Sequence, residues 1–189
     1  DKYIRAAKSG AGVIWLEACA VTPEGRTNPR QLMLTEENLP KFRALVDDMR
    51  RIAKETAGVD VLLILQLTHS GRQSIRPMIA YRHPIYEERR PVTDENIVTD
   101  EYLDTLPEKY AESTRLALEA GFDGVDVKSC HGYLFQELLS AFVREGRYGG
   151  SFENRIKLYI DCVRAARKVL PEGALLTTRL SVSDMVAYP

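Results

Sequence analysis

Apolar runs of strand length alternate along this chain with stretches of helical period. AGVIWLEACAV (11–21) is a near-continuous hydrophobic run, entered from a glycine that ends an opening helical pattern, and reads as a buried strand. TEENLPKFRALVDDMRRIAKETAG (35–58) places Phe42, Leu45, Val46, Met49 and Ile52 at helical spacing, opens on Thr35 as the expected cap and closes at Gly58. VDVLLILQLTHSGR (59–72) is a second strand that stops at polar residues. Residues 73–99 show no clear period, and a loop of that length in a compact domain points to function. TDEYLDTLPEKYAESTRLALEAG (99–121) is helical with Thr99 as its cap; Pro107 makes it kink or start afresh. FDGVDVKS (122–129), a helix over 151–170 capped by Ser151, and ALLTTRLSVSD (174–184) complete the order.

Strand and helix thus alternate four times, with connections too long for hairpins. The expected class is α/β, with about four parallel strands and crossover helices. A doubly wound sheet would carry a glycine-rich turn after its first strand, and none is present. A (β/α)8 barrel gathers its chemistry at the C-terminal strand ends. Polar residues gather there in this chain: Glu17, Gln66 with His69, Lys128 with His131, and Arg179. A whole barrel takes about 250 residues and eight strands, so 189 residues make roughly half of one.

Composition narrows the setting. The chain is 44% hydrophobic and 28% charged with net charge −1, which gives no electrostatic footprint for nucleic acid or an anionic membrane. No apolar run reaches bilayer-spanning length. Cys19, Cys130 and Cys162 are scattered, which fits a reduced, cytoplasmic protein without disulfides or a zinc site. The chain opens on DKYIRAAKSG without a methionine, so the native N-terminus is expected to lie upstream.

Five segments then occur in order: LEACAVTPEGR, LQLTHSGR, AGFDGVDVKSCHGYLFQELLS, YGGSFENR and TTRLS. Together they resemble the old yellow enzyme family of FMN-dependent oxidoreductases. The resemblance implies a TIM barrel, FMN as cofactor, NADH or NADPH as hydride donor and a small-molecule acceptor. It implies one partial domain over 1–189, running from the first helix to the fifth strand, with 73–99 as a long substrate-side loop. The strands that hold the FMN phosphate in the family would lie outside it, so the piece alone is expected to bind FMN weakly. Its open strand edges are expected to dimerise, aggregate or require the missing half.

The resemblance assigns roles residue by residue. Gln66 would meet the N–H and C=O edge of the flavin pyrimidine, which suits a carboxamide with both donor and acceptor. Arg179 would sit against the N1/O2 edge and stabilise the charge that accumulates on reduction; the bland alternative is an ion pair with Asp126 or Glu17. Ala18 would keep the backbone close to the ring. Lys128 and His131 occupy the positions of two donors to the acceptor's carbonyl oxygen, and Tyr133 that of the proton donor to the α-carbon. The family usually has His with Asn or His with His at the first two positions, so Lys128 departs from the pattern. It could donate as a cation, pair with Asp126, or act as a Schiff-base lysine in an aldolase or lyase. A non-catalytic barrel fragment is the remaining alternative.

Around these, His69 reads as a strap for the following loop, and Cys130 as a small buried residue. Tyr148, Gly149 and Gly150 read as the turn that launches the last helix, braced by Asn154 and Arg155. His83, with Tyr81 and Tyr86, is expected on the surface.

Overall fold

The structure is a computed structural model in which residues 2–183 are described. Four parallel strands, β1 (Val13–Ala20), β2 (Leu62–Thr68), β3 (Gly124–Ser129) and β4 (Leu175–Leu180), lie side by side in chain order. Helix α1 (Lys2–Ala7) precedes β1, and α2 (Leu39–Ala57), α3 (Pro84–Arg89), α4 (Asp100–Glu119), α5 (Leu134–Leu139) and α6 (Phe152–Val169) occupy the connections. The architecture is part of a TIM barrel.

The period-2 alternation of the strands decides which way each residue faces. Leu63, Leu65 and Leu67 of β2 and Val125 and Val127 of β3 are fully buried against Met49, Leu103, Leu106, Tyr110, Leu158 and Cys162 of the helices. The opposite face is concave and partly open: Val13, Trp15 and Leu62 on it are exposed. In a flat sheet of this spacing β1 and β4 would stand about 14 Å apart. Here the Trp15 Nε1–H reaches Thr177 Oγ1 on β4 at 3.5 Å, so the sheet is curled toward its own concave side.

Local signals hold at most boundaries. Gly58 ends α2 with φ 70°, the Thr99 hydroxyl accepts from Tyr102 N–H at the start of α4, and Ser151 does the same for Asn154 N–H at α6. Helix α4 runs continuously across Pro107. The expected start of α2 at Thr35 is too early. Thr35 and Asn38 instead form a reciprocal turn, Thr35 N–H to Asn38 Oδ1 at 2.9 Å and Asn38 N–H to Thr35 Oγ1 at 3.4 Å, and the helix begins at Leu39 beside Pro40. Residues 73–99 are not irregular throughout: they hold α3 and a 3-10 turn at Asp94–Asn96. Both are too short for periodicity to reveal. The last residue of the expected fourth strand, Asp184, lies outside the described residues.

His83 is buried, not on the surface. Its ring packs edge-on against Tyr81 at 5.7 Å and tilted against Tyr86 at 5.0 Å. Folding of this segment onto the barrel covers it: Arg72 lies over the Tyr86 ring at 4.9 Å and forms a buried ion pair with Glu137 at 2.5 Å.

Candidate active site at the strand tips

The C-terminal ends of β1 to β4 carry the candidate site residues. In β1 the register with β2 shifts between Leu16 and Cys19, a bulge that contains Ala18. Bulges re-aim the chain at strand ends, and here the Ala18 carbonyl turns out to accept from Gln31 Nε2 at 3.0 Å. Gln66 of β2 stands opposite Asp126 of β3, which stands opposite Thr177 of β4. Asp126 takes one hydrogen bond from Gln66 Nε2 at 2.9 Å and one from Thr177 Oγ1 at 2.8 Å. The buried carboxylate thereby fixes the amide and leaves its carbonyl and second N–H for other partners. Sequence reasoning named Asp126 only as an ion-pair candidate and missed this bridging role, which depends on lateral register between three strands.

One step further along, Lys128 stands opposite Arg179. Neither forms an ion pair with a carboxylate among the described residues. Asp126 is occupied as above, and Glu17 binds Lys2 Nζ at 2.5 Å and Tyr3 Oη at 2.8 Å. The expected alternatives, Lys128 with Asp126 and Arg179 with Asp126 or Glu17, are therefore not what the structure holds. Lys128 is only 4% exposed, and its Nζ lies 3.6 Å from the centroid of the Tyr133 ring. A desolvated cation–π contact contributes about 2 kcal/mol, against a cost of several kcal/mol for burying an ammonium, so the ring alone does not compensate the charge. Burial lowers the Lys128 pKa, and Arg179 adds repulsion.

The loop after β3 delivers the other two groups. His131 adopts φ 65°, the left-handed region that a non-glycine residue enters at some cost, and Gly132 follows at φ 64°. Gln136 secures this turn by accepting from Gly132 N–H at 2.6 Å, another partner that sequence reading missed. The turn sets the His131 and Tyr133 rings edge to face at 6.3 Å, with Tyr133 at the cap position of α5. His131 is exposed; its pKa is lowered by its partial burial and then by Lys128 and Arg179, which keeps the imidazole neutral near pH 7. Burial raises the Tyr133 phenol, which stays protonated. Cys130 is buried with a raised thiol pKa, which makes it a poor nucleophile.

Behind these groups, His69 acts as a strap. Its Nδ1 accepts from Gly71 N–H at 3.1 Å, and its Nε2 meets Tyr102 Oη at 2.9 Å, whose hydroxyl donates to Glu24 at 2.7 Å. Arg155 braces the glycine turn before α6 through the carbonyls of Leu139 at 2.8 Å and Gly150 at 2.5 Å, while Asn154 contributes only its backbone N–H.

With an amide, a guanidinium, an ammonium, an imidazole and a phenol at adjacent strand tips, the comparisons with known proteins bear directly on the site. The sequence pattern of the NADH:flavin oxidoreductase / NADH oxidase family matches residues 1–188. This chain belongs to that family. Among curated NADH:flavin oxidoreductase relatives, an NADPH dehydrogenase of Listeria welshimeri is 32% identical over 189 residues, covering 96% of this chain and 52% of the relative. An NADH:flavin oxidoreductase of Gibberella zeae is 27% identical over 201 residues, covering 95% and 47%. The chain therefore spans about half the length of the curated relatives it matches. The fold is shared with an old yellow enzyme from Pichia (TM-score 0.77, 21% identity, 94% of this chain and 49% of that one). It is shared too with a morphinone reductase variant in complex with tetrahydroNAD (TM-score 0.76, 20% identity, 95% and 54%).

Proposed function

We propose that this chain forms the flavin- and acceptor-facing wall of an FMN-dependent NAD(P)H oxidoreductase that reduces an activated C=C bond of a small molecule. On this reading residues 1–189 are one partial barrel domain, from first helix to fifth strand, with 73–99 on the substrate side. The observation that carries the reading is the convergence of Gln66, Lys128, Arg179, His131 and Tyr133 at the tips of adjacent parallel strands, in a chain of this family. The donor set fits FMN: the Gln66 amide is oriented by Asp126 with hydrogen-bonding capacity left over, and the exposed Arg179 guanidinium has no carboxylate partner among the described residues.

Bound FMN would supply two-electron hydride chemistry. The rest of the work belongs to the chain. Gln66 and Arg179 would hold the polar edge of the cofactor, and Ala18, in the β1 bulge, would let the backbone approach the ring. His131 and Lys128 would donate to the acceptor's oxygen, where negative charge grows as the double bond is reduced. Tyr133, held protonated by burial, would give its proton to the α-carbon. The Tyr133→Phe variant of the full-length holoenzyme tests this assignment in stopped-flow traces. Oxidation by the acceptor should slow by about 10²-fold or more, with flavin reduction by NAD(P)H unchanged. Equal slowing of both halves would refute the proton-donor role.

A further inference from the structure

Lys128 sits where a neutral donor would suffice for a ketone or aldehyde, and its surroundings are those of a cation awaiting an anion. The side chain is almost entirely buried, and its Nζ has no hydrogen-bond acceptor among the described residues, only the face of Tyr133. On the same face of β3, Asp126 has both oxygens engaged by Gln66 and Thr177. The other charged groups at these tips are of the same sign or neutral. Arg179 stands opposite Lys128 in the sheet, His131 follows three residues later, and the Cys130 thiol beside it is buried and protonated. A chain of net charge −1 thus concentrates two fixed positive charges and an imidazole at one end of β3 and β4. Arg179, at the exposed tip of β4, is the one assigned to the cofactor edge above. Asp126, two residues back along β3, still lends Lys128 a countercharge through space, but no acceptor among the described residues meets the ammonium's own N–H groups.

We propose that the group clasped by Lys128 and His131 is a carboxylate, so that the acceptor is an unsaturated carboxylic acid anion and not a neutral ketone, aldehyde or nitro compound. This rests on the reading of the preceding subsection, which it deepens. The ammonium supplies the countercharge that lets a carboxylate enter a partly desolvated site, and the neutral imidazole N–H of His131 reaches the second oxygen. A carboxylate also relieves the repulsion between Lys128 and Arg179. Neutralised by the ammonium, it withdraws electrons from the conjugated double bond better than the free anion does.

The test is binding to the oxidised, FMN-loaded full-length protein, read by calorimetry with benzoate and benzamide, which match in shape and differ in charge. Benzoate should bind about tenfold tighter or more, as expected for one partly buried charge pair. In the Lys128→Gln variant that preference of benzoate over benzamide should vanish. Equal affinity of the wild type for the two probes, undetectable benzoate binding, or a preference retained in Lys128→Gln would each overturn the proposal. If the variant does not fold, the wild-type pair alone decides it. The visible spectrum separates this failure from that of the parent reading. A full-length protein that takes up no FMN sinks the oxidoreductase assignment. A yellow protein that NAD(P)H bleaches but that ignores ligand charge sinks only the carboxylate.

Discussion

His69 should make the stability of this protein fall with acid between pH 6.5 and 4, against an opposing contribution from Glu137, whose carboxyl burial raises to about 7. Burial depresses its pKa to about 4, slightly offset by Glu24, whereas an unfolded chain has a histidine near 6.5. The geometry explains why the neutral form is required. Nδ1 accepts from Gly71 N–H, so the ring proton sits on Nε2 and points at Tyr102. A second proton would break the Gly71 bond in a turn that has no slack: Gly71 has φ 56°, and a Cβ there would stand 2.7 Å from Leu134 N. The folded pKa is the depressed one. The stabilising contribution is therefore complete above pH 6.5 and drains away as pH falls toward 4. The unfolded chain takes up the proton first across that interval. A difference of about 2.5 pH units corresponds to roughly 3 kcal/mol lost across the window. Denaturant unfolding at half-unit steps from pH 7.5 to 4.5, compared with the His69→Asn variant, measures it. Asn offers Gly71 an acceptor that does not titrate, and the difference between the two proteins removes the contributions of His131 and of the opposing Glu137. An identical slope in the two proteins between pH 6.5 and 4.5 would refute the argument.

Other consequences can be checked in the same way. Arg72→Met, which strands the Glu137 carboxylate in the core, should cost about 3–5 kcal/mol in denaturant unfolding. The double replacement Arg72→Met with Glu137→Leu should recover most of that loss. Gly149→Ala should lower the melting temperature by several degrees, because its Cβ would sit 2.2 Å from the Arg144 carbonyl oxygen, a backbone atom that cannot move aside. Asp126→Ala leaves the Gln66 amide unanchored and should weaken FMN binding by the full-length protein about tenfold, read by flavin fluorescence; unchanged affinity would mean that Gln66 does not depend on this anchor.

Much of the scaffold was legible in the chain because its signals are local. The apolar run within 59–72, the Gly58 stop and the Thr99 and Ser151 caps each involve residues within a few positions of one another, and each appears at or within a few residues of its expected place. The misses have a common cause. Helices α3 and α5 are six residues long, less than two turns, so period cannot identify them. Thr35 looked like a cap, but Asn38 binds its backbone and Pro40 sets the true start. His83 looked like an exposed loop residue until the segment folded over it.

For the site the division is sharper. The order of motifs along the chain and the polar residues that end its apolar runs, Gln66, Lys128 and Arg179 among them, by themselves determined which residues reach the strand tips and which family they resemble. Only the tertiary structure decided who meets whom there. Asp126 serves Gln66 and Thr177 in place of Lys128. Lys128 rests on Tyr133, and Arg179 stands beside it with no acid between them. Parallel strands are joined through crossovers tens of residues long, so lateral register is set by packing and backbone hydrogen bonds across β2, β3 and β4, and sequence spacing carries no record of it.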